Sequence, residues 1–129
     1  MGIVYLKHDD ILYLHDRLIE RDGGLYGIRE PRLLSSILMI PQMTFSGEDL
    51  YPTVIDKSAC YLYFMIKNHP FNDANKRTGV MCFLHFLDIN NYNIEVIDLK
   101  RLESTAVCIA STKKPFEEDL VLIKELCIK

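Results

Sequence analysis

At 129 residues the chain is long enough to bury one hydrophobic core and short enough to be a single domain, 1–129. Hydrophobic residues make up 49% and charged residues 26%, which excludes a disordered chain. The net charge of −3 excludes a general nucleic-acid binder but leaves room for a local basic site.

No apolar run is long enough to span a membrane, and MGIVYLKHDD lacks a signal-peptide pattern. Leu6 stands where a myristoylation signal needs Ser or Thr. Cys60, Cys82, Cys108 and Cys127 are far apart and embedded in apolar stretches. They read as buried free thiols of a soluble cytoplasmic protein rather than zinc ligands.

In chain order, residues 2–6 (GIVYL) predict a short strand, and Asp9 or Asp10 an N-cap. Ile11, Leu14, Leu18 and Ile19 then recur at helical spacing up to a stop at Gly23-Gly24. Residues 30–40 predict a second helix with Pro31 in its first turn, ended by Pro41. Residues 42–52, with Gly47 and Pro52, read as a loop. From Thr53 to Asn68 the pattern is apolar nearly all round, as expected of a buried central helix that ends before Pro70. Val80, Phe83, Leu84 and Leu87 mark another, fading at Asn90-Asn91. Residues 94–97 (IEVI) suggest a strand able to pair with 2–6, and helices are expected over 98–111 and 116–127. The fold class is all-α, a helical bundle with a short two-stranded ribbon.

Between the two apolar helices lies Asn68-His-Pro-Phe-Asn-Asp-Ala-Asn-Lys-Arg-Thr-Gly79, which concentrates polar residues in one loop and helix start. A helix N-terminus offers unpaired N–H groups and positive potential, which is an anion site before side chains are counted. Asp73 is expected as N-cap or first-turn residue, with Lys76 and Arg77 adding two charges in the same turn. Cations there oppose the dipole, a small cost that a bound phosphate reverses. A carboxylate beside phosphate is a usual way to hold Mg²⁺, and Asp73 is the candidate ligand. The imidazole of His69 suits a general base that takes a hydroxyl proton near neutral pH. Phe71 is expected to plug the core beneath the loop. Taken singly, each residue has a bland reading: a structural histidine, a cap, a solvated Lys-Arg pair. Their conjunction favours phosphoryl or nucleotidyl transfer.

The run His69-Pro-Phe-Asn-Asp-Ala-Asn-Lys-Arg-Thr78 resembles the Fic/Doc signature, H-x-F-x-(D/E)-(G/A)-N-(G/K)-R. Ala74-Asn75-Lys76-Arg77 is similar to the Doc (death on curing) branch, where Fic adenylyltransferases carry Gly-Asn-Gly-Arg. The segment from Asp22 to Leu34 is similar to the G-G-x-x-G-(I/V)-R-(D/E)-P-x-L-L stretch of Doc-like chains. The resemblance implies a compact Fic/Doc-type helical bundle, with His69 as general base and Asp73 as Mg²⁺ ligand. It also implies that Asn75 and Arg77 contact nucleotide phosphates, with Lys76 filling space an α-phosphate would use. ATP would then give up its γ-phosphate to a protein hydroxyl, with elongation factor Tu the implied target and a small antitoxin the implied restraint. AMP transfer and a catalytically silent binding module on the same scaffold are the alternatives.

The inhibitory (S/T)-x-x-x-E-(G/N) motif of some Fic proteins is not evident: Ser35–Met39 and Ser104–Cys108 both lack the glutamate. Gly23-Gly24-Leu-Tyr-Gly27 lacks phosphate-loop spacing and reads as a helix cap and turn. His15 and His85 fall within helical patterns and read as packing or exposure, with contact between His15 and the loop left open, and His8 reads as a surface residue. Glu117-Glu118-Asp119 complements the dipole of the last helix.

Overall fold

The structure is a computed structural model that describes residues 2–128. Helix α1, His8–Asp22, follows Lys7, whose backbone N–H donates to Asp10 Oδ2 at 2.7 Å. Lys7 is therefore the N-cap residue, and Asp10 reaches back from the third helical position instead of capping by itself. The helix stops at Gly23, whose φ of 81° is left-handed. Helix α2, Pro31–Met39, has proline at its first position, and Glu30 accepts the Arg32 N–H at 3.3 Å. The remaining helices are α3 (Val54–Asn68), α4 (Asn75–Ile89), α5 (Leu99–Ser111) and α6 (Phe116–Leu126), close to their expected spans.

The ribbon lies elsewhere than expected. Residues 2–6 form no strand: Val4 N–H donates to Asn90 Oδ1 at 2.8 Å, and Asn90 Nδ2 donates to the Val4 carbonyl at 2.9 Å. One side-chain amide thus supplies the partners that a second strand would have offered. Ile94–Val96 winds into a 3-10 turn, its start fastened by Asn93 Oδ1 accepting the Glu95 N–H at 3.0 Å. The two-stranded sheet is instead β1, Thr44–Phe45, against β2, Glu48–Asp49, inside the stretch read as loop. Ser46 and Gly47 both take positive φ, 52° and 83°, as a two-residue hairpin turn requires.

Helices α3 and α4 form the most extensive helix pair, and α3 is buried along most of its length. Gly79 permits this approach, since a Cβ there would lie 3.2 Å from the Leu62 carbonyl and from Met65 Cβ. Leu62, Ile66, Phe83 and Leu87 face α5 and α6 in one hydrophobic cluster. Tyr61, Met65, Cys82 and Phe86 join Leu6, Ile11, Leu34 and Ile37 in a second. Cys60, Cys82 and Cys127 are buried and Cys108 half-buried, all as free thiols, and burial pushes the Cys60 thiol up to about 12. Among the described residues, no helix is long and apolar enough to cross a membrane.

Candidate active site

The loop between α3 and α4 reverses the chain with two left-handed residues, His69 (φ 50°) and Ala74 (φ 61°). His69 ends α3 and is exposed. Its backbone is held from outside: Arg29 Nε donates to the His69 carbonyl at 2.7 Å, and Nη2 to the Asn68 carbonyl at 2.8 Å. Phe71 is buried, as expected of a core plug. The Asn75 side chain clamps its backbone, with Oδ1 accepting the Phe71 N–H at 2.9 Å and Nδ2 donating to the Phe71 carbonyl at 3.0 Å. Asn75 thus spends one amide hydrogen and one acceptor on the loop.

Helix α4 begins one residue later than an Asp73 cap would give: Ala74 is the N-cap, and among the described residues no side chain caps the helix. Its first internal bond runs from the Thr78 N–H to the Ala74 carbonyl at 2.9 Å. The amides of Asn75, Lys76 and Arg77 are left without a helical partner, at the positive end of the dipole. These three residues line a concavity of about 360 Å³ together with His69, Asn72, Asp73 and Ala74. A neighbouring groove of similar volume shares Lys76 and Arg77 and is walled by Leu18, Val80, Met81, Ala106 and Val107. In it Arg77 Nη1 donates to Asp22 Oδ2 at 3.1 Å, while Arg21 grips both oxygens of Asp22 at 2.9 Å.

Asp73 sits just outside the helix with its carboxylate held by backbone. Leu25 N–H donates to Oδ2 at 3.1 Å and Ala74 N–H to Oδ1 at 2.8 Å. These bonds, Leu25 first, with Arg77 and His15 adding positive potential, hold the carboxyl below its ordinary range. It is ionised at neutral pH, with lone pairs left over for a cation. The loop that supplies Leu25 is docked on the signature: Asn72 N–H donates to the Gly27 carbonyl at 3.1 Å, and Arg29 N–H to the Pro70 carbonyl at 2.7 Å. Gly24 (φ 126°) makes the approach possible, since a Cβ there would stand 2.7 Å from Asp73 Oδ2.

A sequence model of the Fic/DOC family matches residues 5–87, a span that holds α1 to α3, α4 as far as Leu87 and every residue of this loop. The chain belongs to the Fic/DOC family. It is 33% identical over 107 residues to "Protein kinase doc" of Escherichia phage P1, covering 83% of this chain and 82% of that one. It is 34% identical over 100 residues to "Toxin Doc" of Mycolicibacterium smegmatis (strain ATCC 700084 / mc(2)155), covering 77% and 75%. The similarity to Doc chains agrees with the Ala-Asn-Lys-Arg form of this Fic/Doc signature.

All five residues singled out in the sequence (His69, Asp73, Lys76 and Arg77 by their chemistry, Asn75 by the family resemblance) line the one concavity. The residues that brace it, Leu25, Arg29 and His15, lie 40 to 58 positions away in the chain; Leu25 and Arg29 fall in the Doc-like segment, and the contact left open for His15 is made. His15 is fully buried and donates from Nε2 to the Asp73 carbonyl at 2.9 Å. His85 is half-buried within α4 and lines neither concavity.

Proposed function

We propose that this Fic/Doc protein is the toxin of a toxin–antitoxin pair, and that it moves the γ-phosphate of ATP to a hydroxyl of a protein target. The observation that carries this reading is the anion cradle at the start of α4, open to solvent, with an ionised Asp73 at its rim and exposed His69 at its mouth. The names of the two Doc relatives support both the toxin role and kinase chemistry. Elongation factor Tu is the target class we infer from the Doc resemblance.

The free amides of Asn75, Lys76 and Arg77, with the two cationic side chains, bind and orient the phosphate chain. Asn75 contributes from a rigid position, because its side chain is locked on Phe71. Asp73 is the residue that would hold Mg²⁺, which neutralises phosphate charge when bound; one carboxylate plus phosphate oxygens suits that ion. His69 takes the proton of the acceptor hydroxyl as its oxygen attacks the γ-phosphorus. The bond from that phosphorus to the bridging oxygen breaks, ADP leaves, and the proton remains on the imidazole. Lys76 crowds the position an α-phosphate would need for AMP transfer. Restraint falls to a separate small antitoxin.

The test is incubation with a bacterial extract and ATP labelled at the α or the γ phosphate. Label moving from γ alone supports the reading; label from α makes the protein an adenylyltransferase, and no transfer with unaffected growth makes it a silent binding module. Full toxicity of a His69→Ala variant would remove His69 from the mechanism. Co-purification from the native operon should recover a short partner.

A further inference from the structure

His15 is the one histidine of the chain that is fully buried, and the transfer scheme gives it no part. It projects from the middle of α1 under the signature loop. Its ring lies flat on Phe71, with centroids 3.9 Å apart and planes 9° from parallel. Nε2 lies 2.9 Å from the Asp73 carbonyl oxygen. A carbonyl can only accept, so Nε2 carries the hydrogen. Nδ1 faces Asp16 Oδ1 at 3.4 Å.

The two contacts fall at the two ends of the same three-residue stretch. Phe71 is fixed from one side by the Asn75 amide and from below by the His15 ring. Asp73 has its carboxylate held by the Leu25 and Ala74 N–H groups and its carbonyl held by His15. Without the Nε2 donor, the Asp73 carbonyl loses its one side-chain partner among the described residues, and the peptide between Asp73 and Ala74 is held at its N–H alone. That peptide also carries the Ala74 N–H that steadies Oδ1, so a change at the carbonyl reaches the carboxylate through one rigid plane.

We infer that His15 is a positioning residue: its Nε2–H locks the Asp73–Ala74 peptide and thereby aims the Asp73 carboxylate. As far as it concerns a cation at Asp73, this rests on the transfer reading above; the aiming of the carboxylate does not. A histidine that served only to fill space would be replaced without loss by an aromatic ring of similar size.

Two variants separate the roles. His15→Phe keeps a ring on Phe71 and loses the donor; His15→Gln loses the ring and keeps an amide N–H at the same bond distance from Cα. Amide exchange should speed up about tenfold at Leu25 and Ala74 in His15→Phe, the scale of one lost hydrogen bond, and return toward the wild-type rate in His15→Gln. The Mg²⁺ concentration for half-maximal γ-label transfer should rise about tenfold or more in His15→Phe and less in His15→Gln, as for a lost outer partner of a metal ligand. Unchanged exchange at both amides in His15→Phe overturns the inference, as does acceleration spread evenly over α3 and α4. A wild-type protein that transfers no label counts against the proposed reaction alone, and amide exchange still decides the role of His15.

Discussion

Asp73 is gripped through backbone donors, so the residue that decides how close those donors come is a glycine. At Gly24 a methyl group would meet Asp73 Oδ2 at 2.7 Å, on a backbone φ of 126° that side chains rarely adopt. Gly24→Ala is expected to push the Leu25 amide away from the carboxylate and cut label transfer by about a hundredfold, the cost of misplacing a catalytic group by roughly 1 Å. A single-turnover assay checks this, and wild-type transfer by the variant would refute it. A second carboxylate has the opposite surroundings. Asp119 is fully buried on α6, and neither oxygen has a hydrogen-bond partner among the described residues. The sequence reads it with Glu117 and Glu118 as a charge at the helix start, whereas those two are exposed and Asp119 turns inward. Burial pushes its carboxyl up, against the opposing pull of Lys114 and Lys67. The folded protein therefore holds this proton more tightly than the unfolded chain, and stability falls as pH rises from the ordinary value of 3.8 through the raised one. Asp119→Asn should raise stability at pH 7 by about 1 kcal/mol, because a neutral amide is less costly to bury than a carboxylate. Urea midpoints measured from pH 3 to pH 7 should converge at the acid end; equal midpoints at pH 7 would count against the account.

Lys57 does for the β1–β2 hairpin what backbone bonds do for Asp73. Its side chain is fully buried in the first turn of α3, donating to Asp49 Oδ2 at 3.0 Å and to the Pro41 carbonyl at 3.2 Å. Its ammonium also stands 5.5 Å from the centre of the Tyr5 ring. Lys57→Met should free the hairpin at a cost of about 1–3 kcal/mol, the range for unsatisfying a buried partner, because Asp49 is already partly in water. Limited proteolysis should then cut near Ser46-Gly47 while helical circular dichroism is unchanged. At the α3–α4 contact, Gly79→Val should cost about 1–3 kcal/mol through overpacking against Leu62 and Met65. A melting temperature equal to wild type would deny that close approach. These two elements also mark what the sequence could tell. Helix periodicity was readable because each helix carries its own apolar face, and the signature residues were readable because they are neighbours in the chain. The strand expected at 2–6 failed because its partner is the Asn90 side chain, which no local pattern announces. The hairpin went unread because its strands have two residues each, too few for alternation, with only Ser46-Gly47 as a turn signal. The braces on the signature loop, from His15, Leu25 and Arg29, are tertiary contacts whose partners no local pattern names, although Leu25 and Arg29 lie in the Doc-like segment.

Across the whole molecule, α3 belongs to both hydrophobic clusters. Leu62 and Tyr63 point toward α5 and α6, while Tyr61 and Met65 point toward α1, α2 and the N-terminal segment. A helix that is a wall of two cores cannot lose one and keep the other, so the clusters should unfold as a unit. The phenols report on each side. Tyr61 Oη accepts the Leu6 N–H at 3.2 Å in one cluster, and Tyr63 donates its hydroxyl to the Lys114 carbonyl at 2.6 Å in the other. The chain has no tryptophan, which leaves tyrosine signals uncluttered. Leu62→Ala should lower stability by about 2–5 kcal/mol as a buried large-to-small change. Although Leu62 belongs to the cluster on the α5–α6 side, resonances of Tyr61 and Tyr63 should lose their folded positions at the same, lowered urea concentration. Separate midpoints for the two tyrosines would mean that α3 divides the molecule instead of joining it. The signature loop would then be anchored to only the cluster that holds Phe71, and the rigidity argued for the proposed phosphate cradle would rest on half of the core.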